Sequence, residues 1–571
     1  MKILGIHDGH NASACLIEDG ELRFAIQEER LVYEKNKSGF PKKSIELLMK
    51  QLRLKPEEID LIAFASRHVS PLFGTALGRQ YKRMFGIRRR VESIIMKTPL
   101  YNLYKAMSRV QRKRNIRRLG FRNKVKFFDH HLCHAATAYY GSHFPRNEKV
   151  LVLTNDGAGD GLCATVSIGE NGKLQRLAKV KSDHSLAGVY SLTTKLLGFQ
   201  PLEHEYKLMG MAPYASERGH KIGYEAFKKY VSLSEKDPLK FKKSRRGAIK
   251  TILPQLEKDT RYMRFDWICA GLQRFTEEVL VGWVDNCLKA TATEKLALAG
   301  GIFMNVKANK KIMELKQVKD MFIFPSCGDE TVSMGAAYAA YAEFRKATDP
   351  DIQPLKDFYL GDDFSNEKVL KEIDKLKTKN LKWKKIKNIE KELAQLLVDG
   401  QVVARCKGRM EFGARALGNR SILADPSNLR CLREINLMVK KRDFWMPFAP
   451  VMLKERADEY IINKKSIAAP YMILSFDTTE KYDDLIAAVH QADLTARPQI
   501  IDKTMNPDYY SILKEFEKLT GCGALLNTSF NLHGFPIVHG PKEALDVFIR
   551  SGLRYLAVGN YLIEKKQQME P

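Results

Sequence analysis

The chain has 571 residues, of which 44% are hydrophobic and 28% are charged, a composition typical of globular proteins. Its 95 Lys and Arg residues outnumber 67 Asp and Glu residues, and the net charge of +28 indicates acidic substrates or surfaces as partners. Nine dispersed cysteines without a C-x-x-C pair argue against a disulfide framework and a thiolate zinc site. We expect a cytoplasmic protein, because no stretch approaches the ~20 apolar residues of a membrane helix and the first strand is too polar for a signal peptide.

Residues 4–30 and 151–180 predict the same arrangement of strands. Each segment has an apolar strand, an Asp-Gly pair, a second strand, an Asp-Gly or Asn-Gly turn and a third strand. Such turns between apolar runs are strong hairpin signals. The first Asp-Gly pair gathers backbone N–H groups and a carboxylate, which suits phosphate and metal. A structural hairpin would explain either copy alone, but two copies predict a duplicated phosphate-binding fold.

The segment 70–126 is the most basic part of the chain. Between Arg79 and Lys126 it has 17 Lys and Arg residues against one acid, Glu92. Its pattern predicts helices with apolar faces and dense cations, which a solvated insertion would explain. The alternative is a surface that meets an acidic acceptor or an anionic membrane. Nucleic acid is the weaker option, because no known binding motif is present.

The stretch HHLCHAATAYY, which begins at His130, predicts a helix with a metal-binding face. On a helix His130 and His134 point together, whereas His131 lies about 100° away. Two imidazoles on one face form a natural chelate. Asp156 and Asp329, each placed in a loop after a predicted strand, would complete a His2Asp2 set that suits iron(II), manganese or zinc. Capping or surface histidines remain the alternative interpretation of the His pattern.

Three further segments belong to this half of the chain. In 295–312 a buried strand meets Gly300-Gly301 and then a helix, which would let a phosphate approach the backbone, although packing also explains such a turn. In 203–214 Lys207 could reach a phosphate or lie in solvent. In 322–341 a strand, a polar loop and a small-residue helix follow one another. With the hairpins, these are the parts of the actin, Hsp70 and sugar-kinase architecture.

Cations set among small and apolar residues characterise the second half, which follows a Pro- and Asp-rich linker at 344–369. Guanidinium groups in such surroundings favour bidentate recognition of phosphate or a planar carbonyl group. The pattern therefore predicts an oxyanion pocket with many donors. Its candidate residues are Arg409, Arg415, Arg420, Lys440, Lys441, Arg442, Arg497, Asn527, Thr528, Ser529 and Asn531. The sequence leaves open which member of the run 440–442 points inward.

Taken in order, these motifs resemble those of the carbamoyltransferase family that includes nodulation-type and antibiotic O-carbamoyltransferases such as tobramycin carbamoyltransferase. HHLCHAA, LTNDGAGDG, YKLMGMAPY, LAGGIFMN and GRMEFGARALGNRSILADP carry the resemblance, which covers essentially the whole chain. It implies an α/β fold in two domains. Residues 1–347 would form a duplicated actin-like, threonylcarbamoyl-transferase-like domain with the basic insertion at about 70–126. Residues 348–571 would form a YrdC-like α/β domain.

The resemblance also implies a two-step reaction. Carbamoyl phosphate and ATP, with Mg²⁺ accompanying the nucleotide, give carbamoyl-adenylate and pyrophosphate in the C-terminal domain. The N-terminal domain then transfers the carbamoyl group to a hydroxyl of a sugar-like or natural-product acceptor, aided by a metal that is usually iron(II). The basic insertion is longer than expected for antibiotic-tailoring members, which suggests a phosphorylated or lipid-linked glycan acceptor and a peripheral position at the inner membrane face.

Specific residues follow from the resemblance. It implies His130, His134, Asp156 and Asp329 as metal ligands, His10 as general base and Lys35 as a pocket lysine. It implies Lys207, Gly300, Gly301 and Asn305 for the nucleotide, and Arg415, Arg420, Lys441, Arg497 and Asn527 for carbamoyl phosphate and the adenylate. An actin-like sugar kinase and a nucleotide-dependent binding protein remain as alternatives. We expect a monomer or homodimer.

Overall fold

Two five-stranded sheets of the same topology form the N-terminal half. The computed structural model describes residues 1–67, 100–244, 247–376 and 380–566. The strands of this half are β1 (Lys2–His7), β2 (Ser13–Glu18), β3 (Glu21–Gln27), β4 (Leu61–Ala65), β5 (Lys124–Phe128), β6 (Val150–Gly159), β7 (Leu162–Glu170), β8 (Lys173–Lys181), β9 (Val231–Leu233), β10 (Phe241–Lys243), β11 (Lys295–Ala299) and β12 (Asp320–Ile323). The sheet orders are β3-β2-β1-β4-β5 and β8-β7-β6-β11-β12, and β9 pairs with β10 separately. Each large sheet combines an antiparallel three-stranded meander with two parallel strands.

The turns between the second and third strands explain the repeated sequence pattern. Asp19 and Gly20 have φ values of 49° and 82°, and Asn171 and Gly172 have φ values of 50° and 70°. Two consecutive positive φ values are required at a two-residue type I′ hairpin turn, and Asn-Gly and Asp-Gly supply them at low cost. The duplicated hairpins predicted from the sequence are therefore confirmed.

Helices cover the sheets and join their parallel strands. Those of the N-terminal half are α1 (Glu28–Val32), α2 (Lys42–Gln51), α3 (Leu100–Arg118), α4 (His130–Gly141), α5 (Leu186–Leu196), α6 (Glu205–Met211), α7 (Glu217–Phe227), α8 (Leu253–Asp259), α9 (Phe265–Thr291), α10 (Val306–Glu314) and α11 (Val332–Phe344). Helix α3 is the described part of the basic insertion, and the predicted helices within 68–99 lie outside the described residues. Among the described helices, none is both long and apolar enough to cross a bilayer.

Helix α4 is the predicted histidine helix. The Asp129 side chain caps it by accepting from the Leu132 N–H at 2.9 Å. It packs against α11, and at their crossing a Cβ on Gly335 would lie 1.9 Å from the Cys133 carbonyl oxygen. This close approach places the start of α11, and with it Asp329, beside the first turn of α4.

A mixed eight-stranded sheet forms the core of the C-terminal half. Its strands are β13 (Leu381–Lys385), β14 (Val403–Cys406), β15 (Arg420–Ala424), β16 (Ala449–Leu453), β17 (Gln499–Ile501), β18 (Ala524–Ser529), β19 (Tyr555–Val558) and β20 (Tyr561–Lys565). Their order is β13-β20-β19-β14-β15-β18-β16-β17. The accompanying helices are α12 (Asn366–Asp374), α13 (Ile389–Val398), α14 (Arg430–Ile435), α15 (Ala457–Tyr460), α16 (Pro507–Thr520) and α17 (Pro541–Arg550).

The two halves pack closely along the loops that carry the candidate site residues. One hydrophobic cluster includes Tyr338 from the first half and Phe412 and Tyr471 from the second. The predicted α/β class with a duplicated N-terminal part and a second α/β part is confirmed by the two five-stranded sheets of the same order and the mixed eight-stranded sheet. The boundary between residues 347 and 348 stays a prediction.

Candidate functional site

Four side chains from two elements and one turn meet beside the first turn of α4. We call His130, His134, Asp156 and Asp329 the His–Asp cluster, whose ligand atoms all lie within 4.8 Å of one another. His130 Nε2 lies 3.5 Å from Asp156 Oδ2 and 3.4 Å from Asp329 Oδ1, and His134 Nε2 lies 3.6 Å from Asp329 Oδ1. The structure thus brings all four predicted metal ligands together.

The atoms of the His–Asp cluster fit a metal ion. The Nε2 atoms of His130 and His134 and Oδ1 of Asp329 are buried and have no hydrogen-bond partner among the described residues. Unsatisfied buried polar atoms are costly and usually indicate an unseen water or ion. Two imidazoles and two carboxylates are ligands that suit iron(II), manganese or zinc.

The electrostatics of the cluster favour a cation. Burial alone would lower the pKa of His130, but the carboxylates of Asp329 and Asp156 raise it well above its ordinary value. Burial likewise opposes ionisation of Asp329, yet His130 and His134 hold the pKa of that carboxyl well below its ordinary value. In the absence of metal, therefore, a proton on His130 supplies the positive charge that the carboxylates attract.

Asp156 is oriented by the predicted Gly-Gly turn. It lies within β6, not in a loop as expected, at a point where the regular pairing with β7 is interrupted after Asn155. The Gly301 N–H donates to Asp156 Oδ1 at 3.1 Å. Gly300 has a φ of 108° and lies against the Asn155 carbonyl, where a Cβ would lie 2.3 Å from the oxygen. This close packing explains the glycine pair and leaves the Gly301 N–H aimed at the cluster.

Asn305 has local hydrogen-bond partners. Its Oδ1 accepts from Ala308 N–H at 3.1 Å and its Nδ2 donates to Gln273 at 3.0 Å. The side chain therefore caps α10 and braces it against α9. A nucleotide role for Asn305 stays a prediction.

His10 lies near the His–Asp cluster and is half-buried. Burial lowers its pKa, and among the charges that oppose this shift are Asp329 and Asp156. The His7 Nε2–H donates to the His10 carbonyl at 2.9 Å and so fixes the local backbone. Lys35 forms an ion pair with Glu203 at 2.7 Å. A neutral imidazole beside the cluster has the chemistry of a general base.

A second group of charged side chains lies in the C-terminal half. We call Arg415, Arg442 and Arg497 the arginine cluster, and within the described part of the chain no carboxylate forms an ion pair with any of them. Burial lowers the pKa of all three guanidinium groups, that of Arg415 to about 10. The positive charges of Arg415 and Arg442 lower the pKa of Arg497 further. Three mutually repelling guanidinium groups without acids form a site for a polyanion.

The backbone decides which residue of the run 440–442 points inward. Lys440 is buried and donates to Asn531 Oδ1 at 2.6 Å, whereas Lys441 is exposed and has a φ of 45°. Arg442 turns inward, and its Nη2 donates to Thr528 Oγ1 at 3.1 Å. Within this run it is therefore Arg442, and not the exposed Lys441, that belongs to the arginine cluster, and the predicted anion contact of Lys441 stays a prediction.

Arg420 and Asn527 are buried beside this site but bind the protein backbone. Arg420 donates from Nε to the His539 carbonyl at 2.8 Å and from Nη1 to the Gly408 carbonyl at 3.0 Å. Asn527 Nδ2 donates to the Ala416 carbonyl at 3.0 Å, and its Oδ1 is buried without a partner among the described residues. These bonds shape the loop 413–420, and direct ligand contact by either residue stays a prediction.

Lys207 joins the two halves. Its Nζ lies 2.9 Å from Asp443 Oδ2, and its carbonyl accepts from the Trp445 indole N–H at 3.1 Å. Asp443 follows Arg442 directly, so the contact holds the loop of the arginine cluster against α6. A phosphate contact of Lys207 stays a prediction, and no sequence pattern indicated this interdomain pair.

The two clusters face each other across the contact between the halves. The Ala414 N–H, next to Arg415, donates to Ser326 Oγ at 3.0 Å. Ser326 precedes Asp329 by three residues, and the Cys327 thiol between them is influenced by both Asp156 and Arg415. A ligand in the arginine cluster is therefore separated from the His–Asp cluster by one short loop.

Comparison with known proteins covers the whole chain. The family model "Carbamoyltransferase N-terminus" matches residues 2–338, and "Carbamoyltransferase C-terminus" matches residues 394–565. Nodulation protein NolNO of Sinorhizobium fredii is 30% identical over 562 residues, which cover 98% of this chain and 79% of that protein. Nodulation protein NolO of Bradyrhizobium diazoefficiens is 31% identical over 443 residues, covering 77% and 79%.

Two further similarities lie outside the nodulation proteins. Uncharacterized protein MJ1051 of Methanocaldococcus jannaschii is 32% identical over 588 residues, covering 99% of both chains. Among solved structures, full-length HypF in the phosphate- and nucleotide-bound form matches with 13% identity and a TM-score of 0.36, covering 61% of this chain and 56% of that chain. A TM-score this low supports no conclusion about this chain.

Proposed function

The chain belongs to the carbamoyltransferase family, and from this premise we propose that it is an ATP-dependent O-carbamoyltransferase that works through carbamoyl-adenylate. Carbamoyl phosphate, ATP and water would give carbamoyl-adenylate, pyrophosphate and phosphate. An acceptor hydroxyl would then take the carbamoyl group and release AMP. The observation that supports the proposal is the hydrogen bond between Ala414 and Ser326, because it joins the loop next to Arg415 to the loop that leads to Asp329.

The arginine cluster would perform the first step. Its three guanidinium groups can bind the phosphates of carbamoyl phosphate and ATP. Water would first displace phosphate from carbamoyl phosphate to give carbamate, and the carbamate oxygen would then attack the α-phosphorus of ATP while pyrophosphate leaves. Thr528 orients Arg442, and the pair Lys207–Asp443 holds the loop in place. Binding of the adenylate between the two halves would limit its exposure to water, which hydrolyses it readily.

The residues around the His–Asp cluster would perform the second step. His10 accepts the proton of the acceptor hydroxyl while the hydroxyl oxygen attacks the carbamoyl carbon, and the bond from that carbon to the adenylate oxygen breaks. Lys35, ion-paired with Glu203, lies at the same end of the chain fold. A divalent metal bound by His130, His134, Asp156 and Asp329 would supply charge stabilisation for the departing AMP. The metal we propose is iron(II), with manganese or zinc as alternatives.

An assay of nucleotide products tests the proposal. The full chain is incubated with ATP, carbamoyl phosphate, Mg²⁺ and iron(II), and pyrophosphate exchange and AMP are measured. We expect exchange that requires carbamoyl phosphate, and AMP without ADP. ADP would instead indicate a sugar kinase, and no turnover with tight nucleotide binding would indicate a binding protein; either result rejects the adenylate route.

For the acceptor we propose a glycan at an anionic membrane surface, on the evidence of helix α3. Its outer face exposes Leu103 (60%), Met107 (58%) and Val110 (66%), which share one side of the helix. Exposed cations follow this stripe in the next two turns of the helix: Lys113, Arg114, Arg117 and Arg118. Exposed apolar side chains beside dense cations are typical of helices that lie at an anionic lipid interface.

Flotation with liposomes tests this acceptor surface. We expect the full chain to float with vesicles containing phosphatidylglycerol and not with phosphatidylcholine alone. Replacing Leu103, Met107 and Val110 together by Ser should abolish flotation. The matched control is Ile549→Ser, a 41% exposed residue in the C-terminal half. Flotation that survives the triple replacement rejects the membrane surface.

A further inference from the structure

Hydrogen bonds at the turn after β4 position both the ring and the backbone of His130. Ser66 Oγ lies 3.0 Å from His130 Nδ1. The neighbouring Arg67 N–H and the His130 N–H both donate to Asp160 Oδ2, each at 2.9 Å. The Nε2 atom on the other side of the ring faces Asp156 and is thereby held toward the His–Asp cluster.

The Ser66 contact fixes the protonation pattern of the ring. A metal ligand at Nε2 must offer a lone pair, so the single proton of a neutral His130 ring belongs on Nδ1. That proton is then donated to Ser66 Oγ. Partners at the second nitrogen fix the orientation and tautomer of metal-binding imidazoles.

Ser66 holds this position in a backbone conformation that serine rarely adopts. Its φ is 66°, a region that residues with a Cβ rarely occupy. The Arg112 Nη1–H donates to the Ser66 carbonyl at 2.8 Å, and Arg112 Nη2–H donates to the preceding carbonyl of Ala65 at 3.3 Å. The Nε–H of the same guanidinium group donates to Asp8 Oδ2 at 2.8 Å.

Arg112 is built into the protein as a fixed support. The side chain is 2% exposed, and its guanidinium lies over the rings of Phe64 and Phe127 at 5.1 and 5.6 Å. It belongs to α3, whose other cations are mostly exposed. One arginine of the basic insertion thus points away from solvent and toward the turn that holds His130.

We propose that Ser66 and Arg112 are positioning residues for the metal ligand His130: Ser66 orients the imidazole through Nδ1, and Arg112 holds Ser66 in its left-handed conformation. The inference deepens the proposed function, on whose metal site it rests. It also gives the basic insertion a structural task at the metal site that is separate from any surface it offers to a partner.

Cobalt(II) binding by the full chain tests the proposal without reference to turnover. Ser66→Ala removes the hydroxyl, and Ser66→Gly removes it while also relieving the positive φ. We expect both to weaken Co²⁺ binding by about tenfold or more, the range found when a hydrogen-bond partner of a metal-binding side chain is removed, and to alter the intensity of the visible Co²⁺ bands. Ser66→Gly should do so at unchanged or higher thermal stability, which separates orientation of the ring from stability of the fold.

Matched controls use residues of the same kind. Ser142→Ala removes a buried hydroxyl at the other end of α4, where it donates to the Tyr139 carbonyl at 2.7 Å, and Arg114→Ala removes an exposed arginine of α3. Both should keep the affinity and spectrum of the unaltered chain. Arg112→Lys, which keeps the charge but loses the fork of donors, should weaken Co²⁺ binding.

The outcomes distinguish the two proposals. If the unaltered chain binds Co²⁺ and both Ser66 variants bind it with the same affinity and spectrum, the positioning role of Ser66 is wrong. If Arg112→Lys folds and binds normally, the role of Arg112 is wrong. If the unaltered chain takes up no Co²⁺ or Fe²⁺, the metal site of the proposed function is itself overturned, and the positioning role with it.

Discussion

At the scale of residues, the two histidines of the His–Asp cluster are held in different ways. His130 has Ser66 at its second ring nitrogen, whereas both ring nitrogens of His134 are buried without a hydrogen-bond partner among the described residues. Imidazole ligands usually gain their orientation from a bond at the second nitrogen. His134 therefore depends on the packing of α4 and on the metal for its orientation.

Removing one metal ligand should separate the two proposed half-reactions. His130→Ala leaves the arginine cluster intact, so pyrophosphate exchange should continue while bound metal and carbamoyl transfer are lost. Metal content by mass spectrometry and exchange with labelled pyrophosphate measure the two effects. The control is His143→Ala, because His143 is exposed and pairs only with Asp320 among the contacts described here. Full metal content in His130→Ala would contradict the assignment.

Metal affinity should rise with pH. The pKa of His130 lies well above its ordinary value in the metal-free protein, because the neighbouring carboxylates outweigh the effect of burial. Its proton must leave before Nε2 can bind a metal, so affinity should gain about tenfold per pH unit while the residue remains protonated. Co²⁺ titrations between pH 6 and 8 measure the slope. A flat profile would show that no proton is displaced.

Arg442, a member of the arginine cluster, and its neighbour Lys441 provide a matched pair of variants. Arg442→Ala should lower adenylate formation by about 100-fold, the scale of losing one preorganised charge donor. Lys441→Ala should change it little, because Lys441 is exposed. Carbamoyl-phosphate-dependent pyrophosphate exchange measures both. Equal losses in the two variants would contradict the inward placement of Arg442.

At the scale of elements, the common face of the two histidines and the two hairpins were predictable because local rules govern them. The i, i+4 spacing of His130 and His134 fixes their common face once a helix forms, and the Asp-Gly and Asn-Gly turns fix the hairpins. The choice between Lys441 and Arg442 could not be read in this way. It depends on a short π-helix, Asn436–Lys440, that ends in a left-handed residue, and no propensity predicts that pair of features.

The crossing of α4 and α11 offers a test of how packing supports the metal site. Gly335→Ala would place a methyl group 1.9 Å from the Cys133 carbonyl, so the helices must move apart. Overpacking of this kind costs about 1–3 kcal/mol, and we expect weaker metal binding as well because Asp329 leads into α11. Denaturant unfolding and Co²⁺ titration measure the two effects. Gly157→Ala is the control for stability, since nothing lies within 4 Å of its added methyl group.

At the scale of the whole molecule, the contact between the halves is part of the proposed chemistry. Lys207 and Asp443 join α6 to the loop of the arginine cluster, and Ser326 and Ala414 join the loops of the two sites. The members of these pairs lie 88 or more residues apart in the chain. Only the family resemblance, and no local pattern, could have indicated that the two predicted pockets adjoin.

Loss of the interdomain pair should increase hydrolysis of the adenylate by water. Lys207→Met keeps the length of the side chain but removes the charge that pairs with Asp443. The loop of the arginine cluster should therefore move away from α6 more often. We expect AMP release in the absence of acceptor to rise several-fold, because water reaches the adenylate more easily. The control is Lys310→Ala, which breaks another pair between the halves, with the exposed Asp477. Unchanged AMP release in Lys207→Met would contradict a sealing role.

The positions of the His–Asp cluster residues along the chain also determine the order in which they are synthesised. Its histidines follow the first five-stranded sheet, whereas Asp156 and Asp329 belong to the second copy. During synthesis a growing chain presents both imidazoles long before the last carboxylate emerges, so it can hold a metal only weakly until residue 329 has left the ribosome. If the cluster binds a metal as we propose, capture of the ion is a late event, and a firmly bound metal reports that both copies of the fold have been made and have docked.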